Sequence, residues 1–253
     1  MRLAHLADLH FGEHPPALAN LLGADIRAAA PDAILVSGDL TRRALPSEFA
    51  AAFAFLAALE APVLAVPGNH DIPGADLWSR FFHPRRGWRA AAPPDEPYLR
   101  LGDIQILGLD TVSRAQWHLD WSAGAISSRR RAVLAGRLRE MPDVPALVVC
   151  HHPLQHSGWA RTRRRPRGAD AALALLRGAP VRAVLCGHLH YPEAVKLGDP
   201  WPLQVMAPSA LSPRGGRSAN GWNLVSAGAS GLRVQTRLHV AGEWSSIDLL
   251  AGT

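Results

Sequence analysis

The sequence predicts an α/β sandwich with its helices on the outside. Short apolar runs of strand length alternate with longer stretches of helical period through the first part of the chain, and a succession of short strand patterns follows Gly187. No linker between Met1 and Thr253 is long enough to separate domains, so a single domain over residues 1–253 is expected.

The strand candidates in chain order are Arg2 to Ala7, Ala33 to Ser37, Val63 to Val66, Ile104 to Leu109, Ala146 to Cys150 and Val181 to Cys186. Their apolar content marks them as short and buried. Helix candidates lie between them. Ala17 to Ala30 comes first, then Ser47 to Leu59, with Phe49, Phe53 and Leu56 on one face at three-to-four spacing. Ser128 to Glu140 and Ala169 to Arg177 follow. Beyond Gly187 the strand patterns are Glu193 to Leu197, Leu203 to Met206, Trp222 to Ser226, Leu232 to Val240 and Trp244 to Leu249, so the chain is expected to finish as an antiparallel set. Two Trp-containing, Pro- and Arg-rich segments, Pro73 to Pro97 and Val112 to Ser127, read as long loops of the kind that borders a site.

Composition narrows the class. With 253 residues the chain buries a substantial core, and 48% hydrophobic against 19% charged residues excludes a disordered or fibrous protein. Its longest apolar run, Phe49 to Leu59, is far short of the roughly 20 residues a membrane span needs. The opening Met-Arg-Leu-Ala-His-Leu-Ala-Asp has no secretory pattern, and a cytoplasmic location is expected. Cys150 and Cys186 each end an apolar run, as buried thiols do. The net charge of +6, carried by arginine apart from Lys196, favours anionic partners without naming one.

Several apolar runs end in side chains able to bind a metal: Asp8-Leu9-His10, Gly38-Asp39-Leu40, Gly68-Asn69-His70-Asp71, His151-His152-Pro153 and Gly187-His188-Leu189-His190. In an open α/β sheet, ligands sit beyond the carboxyl ends of the strands, where loops unite distant segments. Alternation along an extended chain would let Asp8 and His10 face one point, and likewise His188 and His190. Only one of the adjacent His151 and His152 is expected to bind directly, the other pointing away or supporting by hydrogen bonds. Each block alone is common as a turn or surface pair. Gathered at strand ends, two carboxylates, an asparagine and several histidines would be costly to bury together without a cation.

The order of these blocks, D-x-H, G-D-x, G-N-H-[D/E], a later H and G-H-x-H, resembles the calcineurin-like metallophosphoesterase superfamily, from Asp8 to His190. The resemblance implies an α/β fold of four αββα layers, two mixed β-sheets packed face to face and flanked by helices. It implies that Asp8, His10, Asp39 and His190 hold one metal and that Asp39, Asn69, His151 and His188 hold the other, Asp39 bridging. His151 is preferred to His152 because the first histidine of this block is the usual ligand in similar proteins. Such a set suits two divalent transition-metal ions, manganese, iron, zinc or cobalt, better than calcium. A pair of such ions lowers the pKa of a shared water, whose hydroxide serves as nucleophile, and binds phosphoryl oxygens. His70 resembles the superfamily histidine that stabilises the transition state or protonates the leaving oxygen, and Asp71 is expected to orient its imidazole.

Branches of the superfamily separate on local detail. Protein Ser/Thr phosphatases carry Gly-Asp-x-Val-Asp-Arg-Gly, whereas Leu40-Thr41-Arg42-Arg43 follows here. Lipid A pathway hydrolases place arginine where His70 stands, and the DNA-repair nucleases usually add a capping domain. The chain is similar to the bacterial cyclic-nucleotide and glycerophosphodiester phosphodiesterases, departing from many of them at Ala7, where they have serine. A small phosphodiester is the expected substrate. A nuclease is the second reading, with Arg161 to Arg167 tracking a backbone and Trp117, Trp121 or Trp159 stacking on a base; a catalytically silent metal-binding scaffold is the third. Nucleic acid is not the favoured partner, and oligomeric state is not read from the sequence.

Overall fold

The computed structural model describes all residues except 75, 92–93, 115–121, 161, 213–217, 229–230 and 251–253. Trp117, Trp121 and Arg161 lie outside the described residues. The first sheet takes β1 (Arg2–Leu6), β2 (Ala33–Val36) and β3 (Val63–Ala65), joined through α1 (Pro16–Ala29) and α2 (Pro46–Ala57). These three strands are parallel, and the sheet continues from β1 through β10 (Gly221–Gly228), β11 (Gly231–Val240) and β12 (Glu243–Leu250), all antiparallel. The second sheet has the order β4 (Tyr98–Leu101), β5 (Ile104–Leu109), β6 (Ala146–Cys150), β7 (Val181–Cys186), β9 (Leu203–Met206) and β8 (Glu193–Lys196). Strands β5, β6, β7 and β9 run parallel, with β4 and β8 antiparallel at the edges. Helices α5 (Ser128–Glu140) and α6 (Ala169–Arg177) provide its crossovers.

Strand alternation assigns each side chain to one of three cores. Leu3, Leu35, Leu147, Val149, Ala183 and Leu185 point between the sheets. Ala4, Leu6, Ile34 and Val36 point the other way, against Leu22 and Ile26 of α1 and Phe49 and Leu56 of α2. Val148, Cys150, Val184 and Cys186 face Leu134 and Leu138 of α5 and Leu173 and Leu176 of α6. Four layers result: helices, sheet, sheet, helices.

Three features differ from the sequence reading. Pro73 to Pro97 contains α3 (Leu77–Phe82) and α4 (Arg86–Ala91), each too short to display a period. Asp76 caps α3 by accepting from Ser79 N, and Trp88 anchors α4 by burying its ring against Phe49 and Phe53. The edge strand β4 also escaped the pattern, being four residues with only Leu99 and Leu101 facing inward. The strand-rich end divides between the sheets: β10 to β12 extend the first, whereas β9 pairs parallel with β7 and β8 closes the second. Cys150 and Cys186 are free thiols, fully buried, and burial raises Cys150 to about 12. No helix among the described residues is long and apolar enough to cross a membrane.

Candidate metal centre

The five sequence blocks follow β1, β2, β3, β6 and β7, so their loops emerge at the carboxyl ends of parallel strands in both sheets. Backbone bonds lace them together: Asp8 N to Gly38 O at 3.0 Å, His10 N to Asp39 O at 3.0 Å and Gly187 N to His151 O at 3.0 Å. The geometry departs from extended alternation. Asp8, His10, Asp39, His188 and His190 all have left-handed backbone, with φ of 56°, 48°, 54°, 71° and 54°. Non-glycine residues adopt that region at a cost, and its concentration at one spot marks a site where surrounding structure overrides local preference. Glycine is required beside it: a Cβ on Gly68 would stand 2.1 Å from Asp39 Oδ1, and one on Gly187 would stand 2.5 Å from Ala7 Cβ and 2.7 Å from Asp8 Oδ2.

The side chains converge on two adjoining groups. In the first, Asp8 Oδ1 lies 3.2 Å from His190 Nε2, and His190 Nε2 lies 3.5 Å from His10 Nε2. In the second, His151 Nε2 lies 3.0 Å from Asn69 Oδ1 and 3.2 Å from His188 Nδ1. Asp39 Oδ2 stands between them, 3.9 Å from His10 Nε2 and 3.5 Å from His151 Nε2. Asp8, His10, Asp39 and His151 are buried, while Asn69, His70, His188 and His190 are half-buried and form the mouth.

Imidazole nitrogens facing each other at such distances can share at most one proton, and among the described residues Asp8 Oδ1 accepts no aligned hydrogen bond, although His190 Nε2 stands 3.2 Å away. Burial lowers His10, and burial with the neighbouring His152 and His151 holds His188 well below the usual histidine range, so both rings keep lone pairs at neutral pH. Burial works against the charge on Asp8, yet the surrounding histidines, His190 first, hold its carboxyl below the ordinary range; the same balance, led by His151, lowers Asp39. Anionic oxygens and neutral nitrogens aimed at common points fit divalent transition cations.

His151 and His152 diverge as adjacent residues must. His151 donates Nδ1–H to the carbonyl of Ser37 at 2.8 Å, turning Nε2 into the cluster. Both nitrogens of His152 are occupied: Nε2–H donates to Ser122 O at 2.6 Å, and Nδ1 accepts from Thr111 Oγ1 at 2.7 Å. Burial, reinforced by His151, takes His152 down to about 3.

His70 lies at the mouth, its ring edge-on to His10 with centroids 5.0 Å apart. The expectation that Asp71 orients this imidazole is corrected by the geometry. Asp71 accepts from the backbone N–H groups of Gly68, Leu40 and Thr41 and from the Thr41 hydroxyl, at 2.8 to 3.2 Å, so its carboxylate ties the second block to the third. Burial and the nearby charge of Asp39 raise it to about 6 despite these donors. The imidazole is held instead by Arg42, which sequence reasoning missed: His70 Nδ1 is 3.0 Å from Arg42 O and 2.9 Å from Arg42 Nη1. Its only sequence signal was position, two residues past Thr41-preceding Leu40 in the second block.

Two further sequence suggestions are now placed. Arg165 donates to Leu154 O and pairs with Asp170 at 2.9 Å, and the Arg167 carbonyl accepts from Ile126 N, so part of the arginine run is tied into the fold. Trp159 donates to Glu193 and packs its ring on Tyr191.

A sandwich of four layers with a buried carboxylate and imidazole cluster at its strand ends defines an α/β protein with a candidate metal site. Residues 1–192 match the Calcineurin-like phosphoesterase family, and the chain belongs to it: a hydrolase acting on phosphoric ester bonds. It is 29% identical over 204 residues to the glycerophosphodiester phosphodiesterase GpdQ of Enterobacter lignolyticus, covering 75% of this chain and 71% of that one. It is also 29% identical over 250 residues to a cAMP/cGMP dual specificity phosphodiesterase of Mycobacterium tuberculosis, covering 88% and 74%. Among solved structures, a dimetal phosphatase from Danio rerio shares the fold, with a TM-score of 0.69 at 13% identity over 99% of both chains.

Proposed function

We propose that this chain, acting as one domain over its 253 residues, hydrolyses a small phosphodiester of the cyclic nucleotide or glycerophosphodiester type. Asp8, His10, Asp39 and His190 would hold one divalent transition-metal ion, and Asp39, Asn69, His151 and His188 a second. When bound, such a pair supplies a water of lowered pKa and positive charge for the phosphoryl oxygens. Ser37 O fixes the tautomer of His151, so that Nε2 is the ligating nitrogen. His70, with Nδ1–H on Arg42 O, keeps Nε2 for proton transfer at the leaving oxygen. Asp71 holds the two loops that carry Asp39 and Asn69 in register.

The observation that carries this reading is the meeting of Asp8, Asp39, Asn69 and four imidazole nitrogens around the shared corner at Asp39 Oδ2. Purification with metal analysis tests it, followed by manganese-supported hydrolysis of bis(p-nitrophenyl) phosphate and p-nitrophenyl phosphate, then of cyclic nucleotides, glycerophosphodiesters and single-stranded DNA. Preference for the small diesters is expected. A rate on single-stranded DNA that falls steeply with salt would favour the nuclease reading. Full metal occupancy without hydrolysis of any ester would overturn it in favour of a silent scaffold.

A further inference from the structure

A cavity of about 930 Å³ opens beside the metal centre, with Asn69 and His70 on one wall and Arg42, Arg43, Arg80 and Arg86 on others. The carboxylate on its described lining, Asp76, has both oxygens engaged by Ser79 as the cap of α3. The guanidinium groups are positioned differently. Arg42 sets Nε on Glu13 at 2.7 Å and turns Nη1 to 2.9 Å from His70 Nδ1. Arg43 sets Nε on the buried Glu48 at 3.0 Å, and its side chain is otherwise exposed, at 64%, on the cavity lining. Arg80, itself 5% exposed, bridges the carbonyls of Pro73 and Arg114. Arg86 is exposed and has no carboxylate partner among the described residues. Its backbone is anchored, because it opens α4 two residues before Trp88, which is fully buried.

A diester of glycerol or a cyclic nucleotide carries one negative charge, on the scissile group itself. That charge faces the metal ligands, and Arg86 would then have no anion to meet, since Arg42 and Arg43 already face Glu13 and Glu48. Guanidinium forks bind phosphate through paired, charge-assisted hydrogen bonds, and several of them around one concave wall draw in a phosphate at little cost in reorganisation. The cavity adjoins His70, the side of the site from which the leaving oxygen is protonated. We infer that the favoured substrate is a phosphodiester whose leaving group carries a second phosphate, seated in this cavity by Arg86 with Arg43. The inference rests on the phosphodiesterase reading above and narrows its substrate to phosphorylated alcohols or nucleotides as leaving groups.

The metal-loaded enzyme would be given a thymidine dinucleotide bearing a terminal phosphate at its 5′ or its 3′ end, the unphosphorylated dinucleotide, and bis(p-nitrophenyl) phosphate. One of the two terminal phosphates is expected to raise kcat/KM by about ten-fold or more, chiefly through KM, the size of one charge-assisted contact. Arg86→Gln should remove most of that gain, Arg86→Lys should keep part of it, and both should leave hydrolysis of the aryl diester within about two-fold of the parent. Equal kcat/KM with and without either terminal phosphate, or a gain that survives Arg86→Gln, would overturn the inference. Absence of aryl diester hydrolysis would instead bring down the underlying phosphodiesterase reading, and this inference with it.

Discussion

His151 donates its Nδ1–H to the carbonyl oxygen of Ser37 at 2.8 Å, which leaves Nε2 as the atom 3.0 Å from Asn69 Oδ1 and 3.5 Å from Asp39 Oδ2. The neighbouring imidazole of His152 has no nitrogen to spare, since Ser122 and Thr111 take both. His151→Ala is therefore expected to lower bound metal by at least one ion per chain. His152→Ala should keep the metal and lose about 1 to 3 kcal/mol of stability through its abandoned partners. Metal analysis beside urea unfolding separates the two; equal metal loss in both variants would refute the assignment.

His70 touches the mouth of the site and is not among the seven residues proposed as ligands. Replacing it with glutamine should cut kcat roughly 10² to 10⁴-fold with metal content unchanged. Arg42→Gln keeps the backbone carbonyl that holds His70 Nδ1, so its loss on an aryl diester should be well under that of His70→Gln. A comparable loss would show that the guanidinium, 2.9 Å from the same nitrogen, is the group that matters.

Asp71 is buried and takes its bonds from the amides of Gly68, Leu40 and Thr41. An asparagine there offers one accepting oxygen, so Asp71→Asn should destabilise by roughly 2 to 3 kcal/mol and loosen the loops that carry Asp39 and Asn69. The check is a drop in urea midpoint accompanied by weaker metal retention on dialysis. Full retention with only kcat reduced would restore a direct role on His70.

His5 lies between the sheets, fully buried, donating Nε2–H to Ser37 Oγ at 2.8 Å while Asn223 approaches its Nδ1 at 3.3 Å. Burial takes it down to about 3, partly opposed by Asp8. An unfolded chain binds this proton near pH 6.5, so the stabilising contribution is whole above that pH and is lost as pH falls toward 3, by about 1.4 kcal/mol per unit. With chelator present throughout, the urea midpoint should fall between pH 7 and pH 5, and His5→Gln should show a shallower fall. An unchanged slope would rule out His5 as a contributor.

Much of this protein was legible in one dimension. Buried parallel strands are short apolar runs, and β5, β6, β7 and β9 stand where those runs stood. Helices α5 and α6 likewise keep the bounds their patterns suggested, because thirteen and nine residues are enough to repeat a buried face. Helices α3 and α4, of six residues each, are not. Asp76 caps the first of them locally, whereas the second depends on Trp88 finding a slot beside Phe49, a partner far away in sequence.

The sequence by itself determined which residue types stand at the strand ends, and hence the family and the kind of cation they suit. Only the tertiary structure decided how those residues meet. Extended alternation would have aimed Asp8 and His10 together, whereas both, like Asp39, His188 and His190, turn through left-handed backbone. That conformation is unfavourable for an isolated L-residue and persists because bonds to Gly38, Asp39 and His151 in the loops after other strands hold it. Other long-range contacts turn His151 rather than His152 into the cluster and make Arg42 rather than Asp71 the partner of His70, since a side chain's hydrogen bonds are set by what packs against it rather than by what precedes it.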